Sequence, residues 1–465
     1  MARMIPEDDP EIPPQYLFTA PWDPVVVRRG DALGLRALAD QFADAIAPDL
    51  NNRIRDGRWV TILSWCLARS QEVFHASGSR MIATRLQQRD RYAWLRPLEL
   101  MWVARTIVLV DDWKNRSLAG QRRVSAWLDG DKRMERLGMS IDQFRAYRQT
   151  GMYGGYRLAF RKLPGMTIHG DGWTPGIETN RLAKWLDCKL GAAKPQWSFH
   201  GDGYEDGSIS SRSIGKSKDE CSFWLRNWMS FEHGGRKYDE NTLPRPRADY
   251  RKLPEAELLK PLLFGNDQRG KMRQLVAQEV ARSSGYRHID ACRHLGRVLK
   301  LPLFPLFSRL ADAGMDAMEF IADSLQNRPR VPLVDIANQA RAATVHKELV
   351  GAAVAWKKVS VYEEIRHIES AHLFADRMHA SGPIGTLRAL LRYHEEFGGG
   401  LLWFVLRDGQ VETRTPSRGP SSRYRFRLWS LCRLATQCGV LRSMPKVIRS
   451  MDEPESDSTP ETGDE

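Results

Sequence analysis

Arginines interleaved with aromatic residues form the part of the sequence best suited to bind a ligand. Six arginines lie between residues 414 and 433, and Tyr424, Phe426 and Trp429 stand among them. Arginine forks bind phosphate oxygens in pairs, and aromatic rings stack on bases or sugars. We therefore predict nucleic-acid contacts for Arg414, Arg418, Arg423, Tyr424, Arg425, Arg427 and Arg433. The alternatives are a solvated basic surface or an interface with a partner protein.

The distribution of charge supports a polyanionic partner. The formal net charge is +13, although residues 451–465 carry seven acidic side chains and neither Lys nor Arg. Just before them, residues 411–450 contain nine Lys or Arg and one acid, Glu412. Basic surfaces of this kind contact nucleic-acid phosphates. We expect 451–465 to be a disordered acidic tail that occupies the basic surface when nucleic acid is absent.

A second stretch, 144–162, repeats the basic and aromatic alternation. Its glycines at 151, 154 and 155 permit close approach of the backbone to a ligand. A phosphate-tracking surface here would use Arg145, Arg148, Arg157, Arg161 and Lys162. The alternative is a pair of helices, 140–150 and 154–162, with the aromatic side chains inward and the arginines outward.

Two matching loops offer metal-ligating side chains. The tetrapeptide His-Gly-Asp-Gly occurs at 169–172 and again at 200–203. Two such loops could join imidazole and carboxylate ligands. Gly-Asp-Gly is also a common turn, in which the Asp side chain caps its own backbone. We favour the turn.

Other fragments with catalytic or metal-binding character are weaker. Glu364 and His367 have the i,i+3 spacing of di-iron helices, but no second Glu-x-x-His matches them. The Gly215-Lys216-Ser217 fragment lacks the first glycine of a phosphate loop, because Ser210 stands in its place. We therefore predict no catalytic residue, metal or cofactor.

Hydrophobic periodicity predicts a mostly α protein built from multi-helix domains. Helical patterns fill most of the chain, and LLWFVLRDGQVETRT with its Asp408-Gly409 turn predicts a β-hairpin. A helix over 383–397, this hairpin and a helix over 424–438 form a small helix–hairpin–helix unit that resembles part of a winged helix-turn-helix fold. Tryptophans within the helical patterns, such as Trp59, Trp65 and Trp102, are expected in the core.

Composition shifts divide the chain into six segments. A proline-rich, acidic N-terminal arm is followed by a helical domain, a glycine-rich junction, a second helical domain, the basic helix–hairpin–helix unit and the acidic tail. Their predicted limits are 1–27, 28–163, 164–215, 216–380, 381–450 and 451–465.

The N-terminal third resembles a group of bacterial proteins. The residues that carry the likeness are Ala20-Pro21-Trp22-Asp23-Pro24, Asp56-Gly57-Arg58-Trp59 and 91–99, RYAWLRPLE. They are similar to Trp- and Arg-rich proteins of unknown function from anti-phage defence loci. The resemblance covers residues 15–165 and implies at most membership of a multi-protein complex acting around foreign DNA.

These observations favour binding over catalysis. The first hypothesis is a non-catalytic, nucleic-acid-associated subunit of a bacterial assembly in anti-phage defence, with DNA backbone contacts and protein partners. The alternatives are a metal-assisted nuclease or phosphohydrolase, and a protein–protein adaptor without nucleic-acid contact. Six scattered cysteines and the lack of an apolar stretch of membrane length predict a reduced, cytoplasmic protein without membrane contact.

Overall fold

A computed structural model gives the structure of the protein. It describes residues 31–76, 151–190, 252–326, 328–359, 365–398, 402–414 and 424–449, with residues 95, 98, 99, 102, 103, 106, 107, 118, 121, 125, 136–137 and 209–210. The described chain is mostly helical, as its periodicity predicted, and it also contains a small three-stranded sheet. No described helix has the length and hydropathy needed to cross a membrane.

The chain divides into two compact units. Among the described residues, unit 1 lies within 56–262, and unit 2 combines 31–55 with 263–449. Unit 2 therefore joins the first described helix, α1 (Arg36–Ile46), to the C-terminal half of the chain. No local sequence pattern indicates this association, because it depends on contacts between residues far apart in sequence.

Unit 1 is built around two helices that pack along each other. These are α2 (Gly57–Ala76) and α4 (Ile177–Leu190), with α3 (Gly151–Lys162) also packed against α2. Trp65 is fully buried, and its indole Nε1 donates a hydrogen bond to Asp187 Oδ1 at 2.8 Å. Trp59 and Trp102 are buried as well, so the prediction of tryptophan core anchors is confirmed at these positions. A two-residue pairing of β1 (Arg136–Leu137) with β2 (Ile209–Ser210) also belongs to this unit, and α5 (Ala256–Leu263) follows.

Unit 2 has a long central helix. This helix, α8 (Leu303–Leu325), packs against α7 (His288–Val298) and α10 (Ala340–Lys357). Its Phe304 and Phe307 rings lie 5.5 and 5.3 Å from the ring of Phe42 on α1. Helix α6 (Gln268–Arg282) contacts α1, α7 and α13 (Leu428–Gln437). Aromatic burial of this kind is the main source of stability for such a core.

The start of α1 is fixed by a carboxylate. Asp31 Oδ1 and Oδ2 accept hydrogen bonds from the backbone N–H groups of Leu35 at 3.1 Å and Arg36 at 3.2 Å. These groups have no carbonyl partner within the helix, so the side chain satisfies them. The N-cap position itself is Leu35, and α1 begins at Arg36.

The small sheet lies among short helices of unit 2. Strand β3 (Arg330–Pro332) leads into α9 (Leu333–Ala337), and α10 and α11 (Ile368–Arg377) follow. Next come α12 (Gly382–Phe397), β4 (Phe404–Arg407) and β5 (Gln410–Thr413). The strand order is β3-β5-β4, all antiparallel, with Val331 opposite Val411 and Leu406 opposite Val411. The hairpin was predicted from the sequence and is confirmed, whereas β3 was missed because three residues give no recognisable alternation.

Two helices of the C-terminal half differ from the sequence prediction. The helix predicted from residue 424 begins at Leu428, since Phe426 and Arg427 adopt left-handed φ values of 45° and 60°. Helix α10 ends at Lys357, and α11 begins at Ile368. His367 has a left-handed φ of 64° and precedes α11, so it does not continue a helix from Glu364, which lies outside the described residues.

Candidate nucleic-acid interface

Helices α11 and α12 form a compact pair joined by residues 378–381. The two helices contact each other, and α12 also packs against α9, α10 and β4. Apolar spacing sets the orientation of α12, because Leu387, Leu390 and Leu391 are buried together on one face. The opposite face carries Arg388 and Arg392, both exposed and separated by one helical turn.

The hairpin that follows α12 has a tight turn. Asp408 and Gly409 both have positive φ values, 47° and 74°, as a two-residue hairpin loop requires. Arg407 is exposed beside the turn, and Arg414 is exposed at the far end of β5. Val411 faces inward and is fully buried. The strand alternation thus directs the apolar side chains to the core and leaves the two arginines in solvent.

A buried histidine fastens the hairpin to α12. The backbone N–H of Trp403 donates a hydrogen bond to His394 Nε2 at 2.9 Å. His394 Nδ1–H donates a hydrogen bond to the carbonyl oxygen of Ala32 at 2.9 Å. This pattern assigns the neutral tautomer protonated at Nδ1. Burial lowers the pKa of His394, and the hydrogen bond to Ala32 opposes that shift.

Several acidic side chains around this pair have partners within the protein. Glu395 accepts a hydrogen bond from the N–H of Leu406, and Glu396 lies 3.5 Å from Arg377. Two further ion pairs join Arg330 to Glu412 at 3.2 Å and Lys357 to Asp376 at 3.0 Å. Arg388, Arg392, Arg407 and Arg414 form no ion pair with the residues that the structure describes. Their positive charge is therefore available to an external anion.

The arginines predicted as nucleic-acid contacts near the hairpin have varied positions. Arg414 is exposed and Arg425 is half-buried, while Arg418 and Arg423 lie outside the described residues. Tyr424 is buried, and its hydroxyl donates a hydrogen bond to Asp31 Oδ1 at 2.7 Å. Burial, with the neighbouring Asp31 carboxylate, raises the pKa of Tyr424 well above its usual value.

Arg427 and Arg433 contribute to the interior of unit 2. Arg427 is buried and forms an ion pair with Asp44, and its Nη1 also lies 3.5 Å from the carbonyl oxygen of Ala47. The buried guanidinium of Arg433 lies 5.2 Å from the centroid of the Trp429 ring, a cation–π distance. Burial leaves these two side chains and Tyr424 little surface to offer a phosphate.

The second predicted surface, residues 144–162, also contains both buried and exposed basic side chains. Arg157 is buried with its guanidinium 5.2 Å from the centroid of the Trp173 ring, whereas Arg161 and Lys162 are exposed at the end of α3. Arg145 and Arg148 lie outside the described residues. Residues 151–162 form a helix with Tyr153, Tyr156 and Phe160 buried, as the helical alternative predicts for the aromatic side chains, but Arg157 is buried rather than outward.

The first His-Gly-Asp-Gly loop is a turn. Asp171 Oδ1 accepts hydrogen bonds from the N–H groups of Trp173 at 2.7 Å and Thr174 at 2.9 Å, and Oδ2 accepts from the Thr174 hydroxyl at 2.6 Å. The carboxylate thus caps its own backbone, as the turn interpretation predicts. The second loop and the 213–217 fragment lie outside the described residues. Within the described part, no three His, Cys, Asp or Glu side chains lie close enough together to hold a metal.

Sequence reasoning missed Arg388, Arg392 and Arg407. Their signal was present, since the leucines of 383–397 define a buried face that leaves positions 388 and 392 opposite it. The three arginines are spaced along the chain, so they do not form the dense arginine run on which the sequence prediction was based. Comparison with protein-family models, curated proteins and solved structures gives no match to this chain.

Proposed function

We propose that the protein binds duplex DNA through α12 and the β4–β5 hairpin, as a non-catalytic subunit of a bacterial assembly. The observation that carries the proposal is the order of elements: two helices joined by a short connection, then a hairpin, with Arg388 and Arg392 on the exposed face of the second helix. This order resembles a helix-turn-helix with its wing.

The dimensions of DNA suit this arrangement. The major groove of B-form DNA is about 12 Å wide and admits an α-helix, whose arginines can bind guanine edges or phosphates. The major groove of duplex RNA is deep and narrow and excludes side chains. Duplex DNA is therefore the favoured ligand, with Arg407 and Arg414 of the hairpin as backbone contacts.

The charge balance supports the same surface. Several carboxylates around α12 already have partners, while four arginines have none among the described residues. An internally paired acid repels phosphate less than a free one, because its charge is partly neutralised. The buried side chains of Tyr424, Arg427 and Arg433 are accordingly not assigned to the interface.

A titration with labelled duplexes tests the proposal. Replacing Arg388→Gln together with Arg392→Gln should weaken binding to duplex DNA roughly ten- to a hundredfold, as expected for lost arginine contacts. The matched control is Arg309→Gln with Lys347→Gln, which removes the same charge from exposed positions on α8 and α10 that form no ion pair with a described residue. An equal loss in the control would mean that net charge alone drives binding, and no loss in either would exclude α12.

Membership of an assembly needs a separate test. Purification of the intact protein from its native cells, with and without nuclease, separates protein partners from partners held by nucleic acid. A subunit should retain a neighbouring protein after nuclease treatment. If no duplex or single strand binds the protein but a partner does, the exposed arginines serve a protein interface instead.

A further inference from the structure

Helix α7 presents a basic face that is separate from α12. Arg293 and Arg297 are exposed and lie one turn apart, and Lys300 is exposed just beyond the helix. Arg287 stands exposed at its N-terminal end. The one acid within this stretch, Asp290, lies 3.7 Å from Arg293 and 4.0 Å from Arg287. Arg297 and Lys300 have no ion-pair partner among the described residues.

A short helix brings the chain to this face. Helix α14 (Lys446–Arg449) packs against α7, α6 and α13, with Val447 and Ile448 buried. The acidic segment, residues 451–465 with seven Asp or Glu and no Lys or Arg, follows almost directly. Its attachment point is therefore held next to the element that carries the free positive charges.

The length of the acidic segment is sufficient to cover α7. Fifteen residues span at most about 50 Å. Helix α7, with 11 residues, is only about 16 Å long. Tethering at α14 keeps the acids near this face at a high effective concentration, so that modest charge attraction suffices for contact.

We propose that the acidic segment 451–465 lies against the basic face formed by Arg287, Arg293, Arg297 and Lys300. The contact neutralises the charge of Arg297 and Lys300, which form no ion pair with a described residue. Non-specific phosphate binding at α7 is thereby reduced, which leaves α12 as the preferred polyanion site. The contact itself requires no nucleic acid, so it stands or fails independently of the proposed function.

Zero-length carbodiimide cross-linking of the full chain tests the contact. The reagent joins a carboxylate to a lysine amine with loss of water, and peptide mass spectrometry locates the link. At low salt, the yield of links from Lys300 to 451–465 should exceed the yield from Lys347, an exposed lysine of α10, by roughly fivefold. The Lys300 links should decrease sharply near 0.5 M salt, because salt screens exposed charges. Equal yields at the two lysines would overturn the proposal.

A pair of variants separates charge attraction from simple tethering. Arg293→Gln with Arg297→Gln should reduce the Lys300 links severalfold, whereas Arg388→Gln with Arg392→Gln should leave them unchanged. If both variants keep the original yield, proximity alone accounts for the links and the proposal is wrong. Equal thermal midpoints of the variants and the unaltered chain exclude loss of folding as the cause. If the Lys300 links form as expected but the protein does not bind DNA, only the proposed function is wrong.

Discussion

The run 424–433 and the α12–hairpin region use arginine in opposite ways. The first is dense in arginine and aromatic residues, yet Tyr424, Arg427 and Arg433 are buried. The second has widely spaced arginines, and Arg388, Arg392 and Arg407 are exposed. Local density of positive charge therefore does not identify the exposed surface. Whether an arginine is exposed depends on which helix positions the apolar residues direct into the core. It also depends on whether a carboxylate or aromatic ring far away in sequence binds its guanidinium.

Truncation of Arg427 should produce the largest effect on stability. Arg427→Ala removes the partner of Asp44 and leaves space in a buried position. Since Asp44 itself is largely exposed, we expect a loss of about 2 kcal/mol in the free energy of unfolding, below the value for a fully buried pair. Urea unfolding followed by circular dichroism measures it.

The matching change in the other region should have little effect on folding. Arg388→Ala removes an exposed side chain without an ion pair, so its effect should stay within about 0.5 kcal/mol. Equal losses for the two variants would contradict the contrast between the regions. Asp44→Asn combined with Arg427→Ala should cost less than the sum of the single changes, because both remove one interaction.

The salt dependence of DNA binding sharpens the role of α12. If Arg388 and Arg392 contact phosphates, replacing both with Gln should make the slope of log affinity against log salt shallower by about 1.8. Over a fourfold rise in salt this amounts to about one decade in affinity, or about 1.5 kcal/mol. A loss of affinity with an unchanged slope would instead assign the pair to base edges.

The sequence predicted the helical class, the hairpin and the tryptophan core because these follow from local periodicity and turn chemistry. It did not predict the hydrogen bonds of Tyr424 to Asp31 and of Arg427 to Asp44. These contacts join residues almost four hundred positions apart in sequence. The start of α13 at Leu428 was also hidden, because the left-handed Phe426 is held by ring contacts with Phe304 and His288. The face of α12 was readable from its leucines.

The attachment of the hairpin to α12 should weaken as the pH falls. Burial lowers the pKa of His394, so the folded chain binds its proton less readily than the unfolded chain does. The unfolding free energy contributed by this group is complete above about pH 6.5 and decreases below it, with a slope of at most about 1.4 kcal/mol per pH unit. Urea unfolding between pH 5 and pH 8 measures the slope.

A glutamine at this position isolates the histidine. His394→Gln retains an acceptor and a donor but does not titrate. The difference in unfolding free energy between the two chains should therefore be constant above pH 6.5 and change with pH below it. Parallel pH profiles for the two chains would show that protonation of His394 does not limit stability. Arg427 lies outside this contact, and Arg427→Ala should leave the profile unchanged in shape.

The turn that places Arg407 offers a test of backbone strain. Gly409 has a φ of 74°, and a Cβ there would meet no heavy atom within 4 Å, so Gly409→Ala tests backbone strain alone. We expect a loss of about 1 kcal/mol, because residues with a Cβ disfavour the left-handed region. Gly351→Ala is the matched control: it has the same open space but lies within α10 without a positive φ, and it should stabilise the protein by about 0.5–1 kcal/mol.

If the hairpin contacts DNA, Gly409→Ala should also reduce affinity at a temperature where both variants remain folded, whereas Gly351→Ala should not. Loss of stability without loss of affinity would restrict the interface to α12.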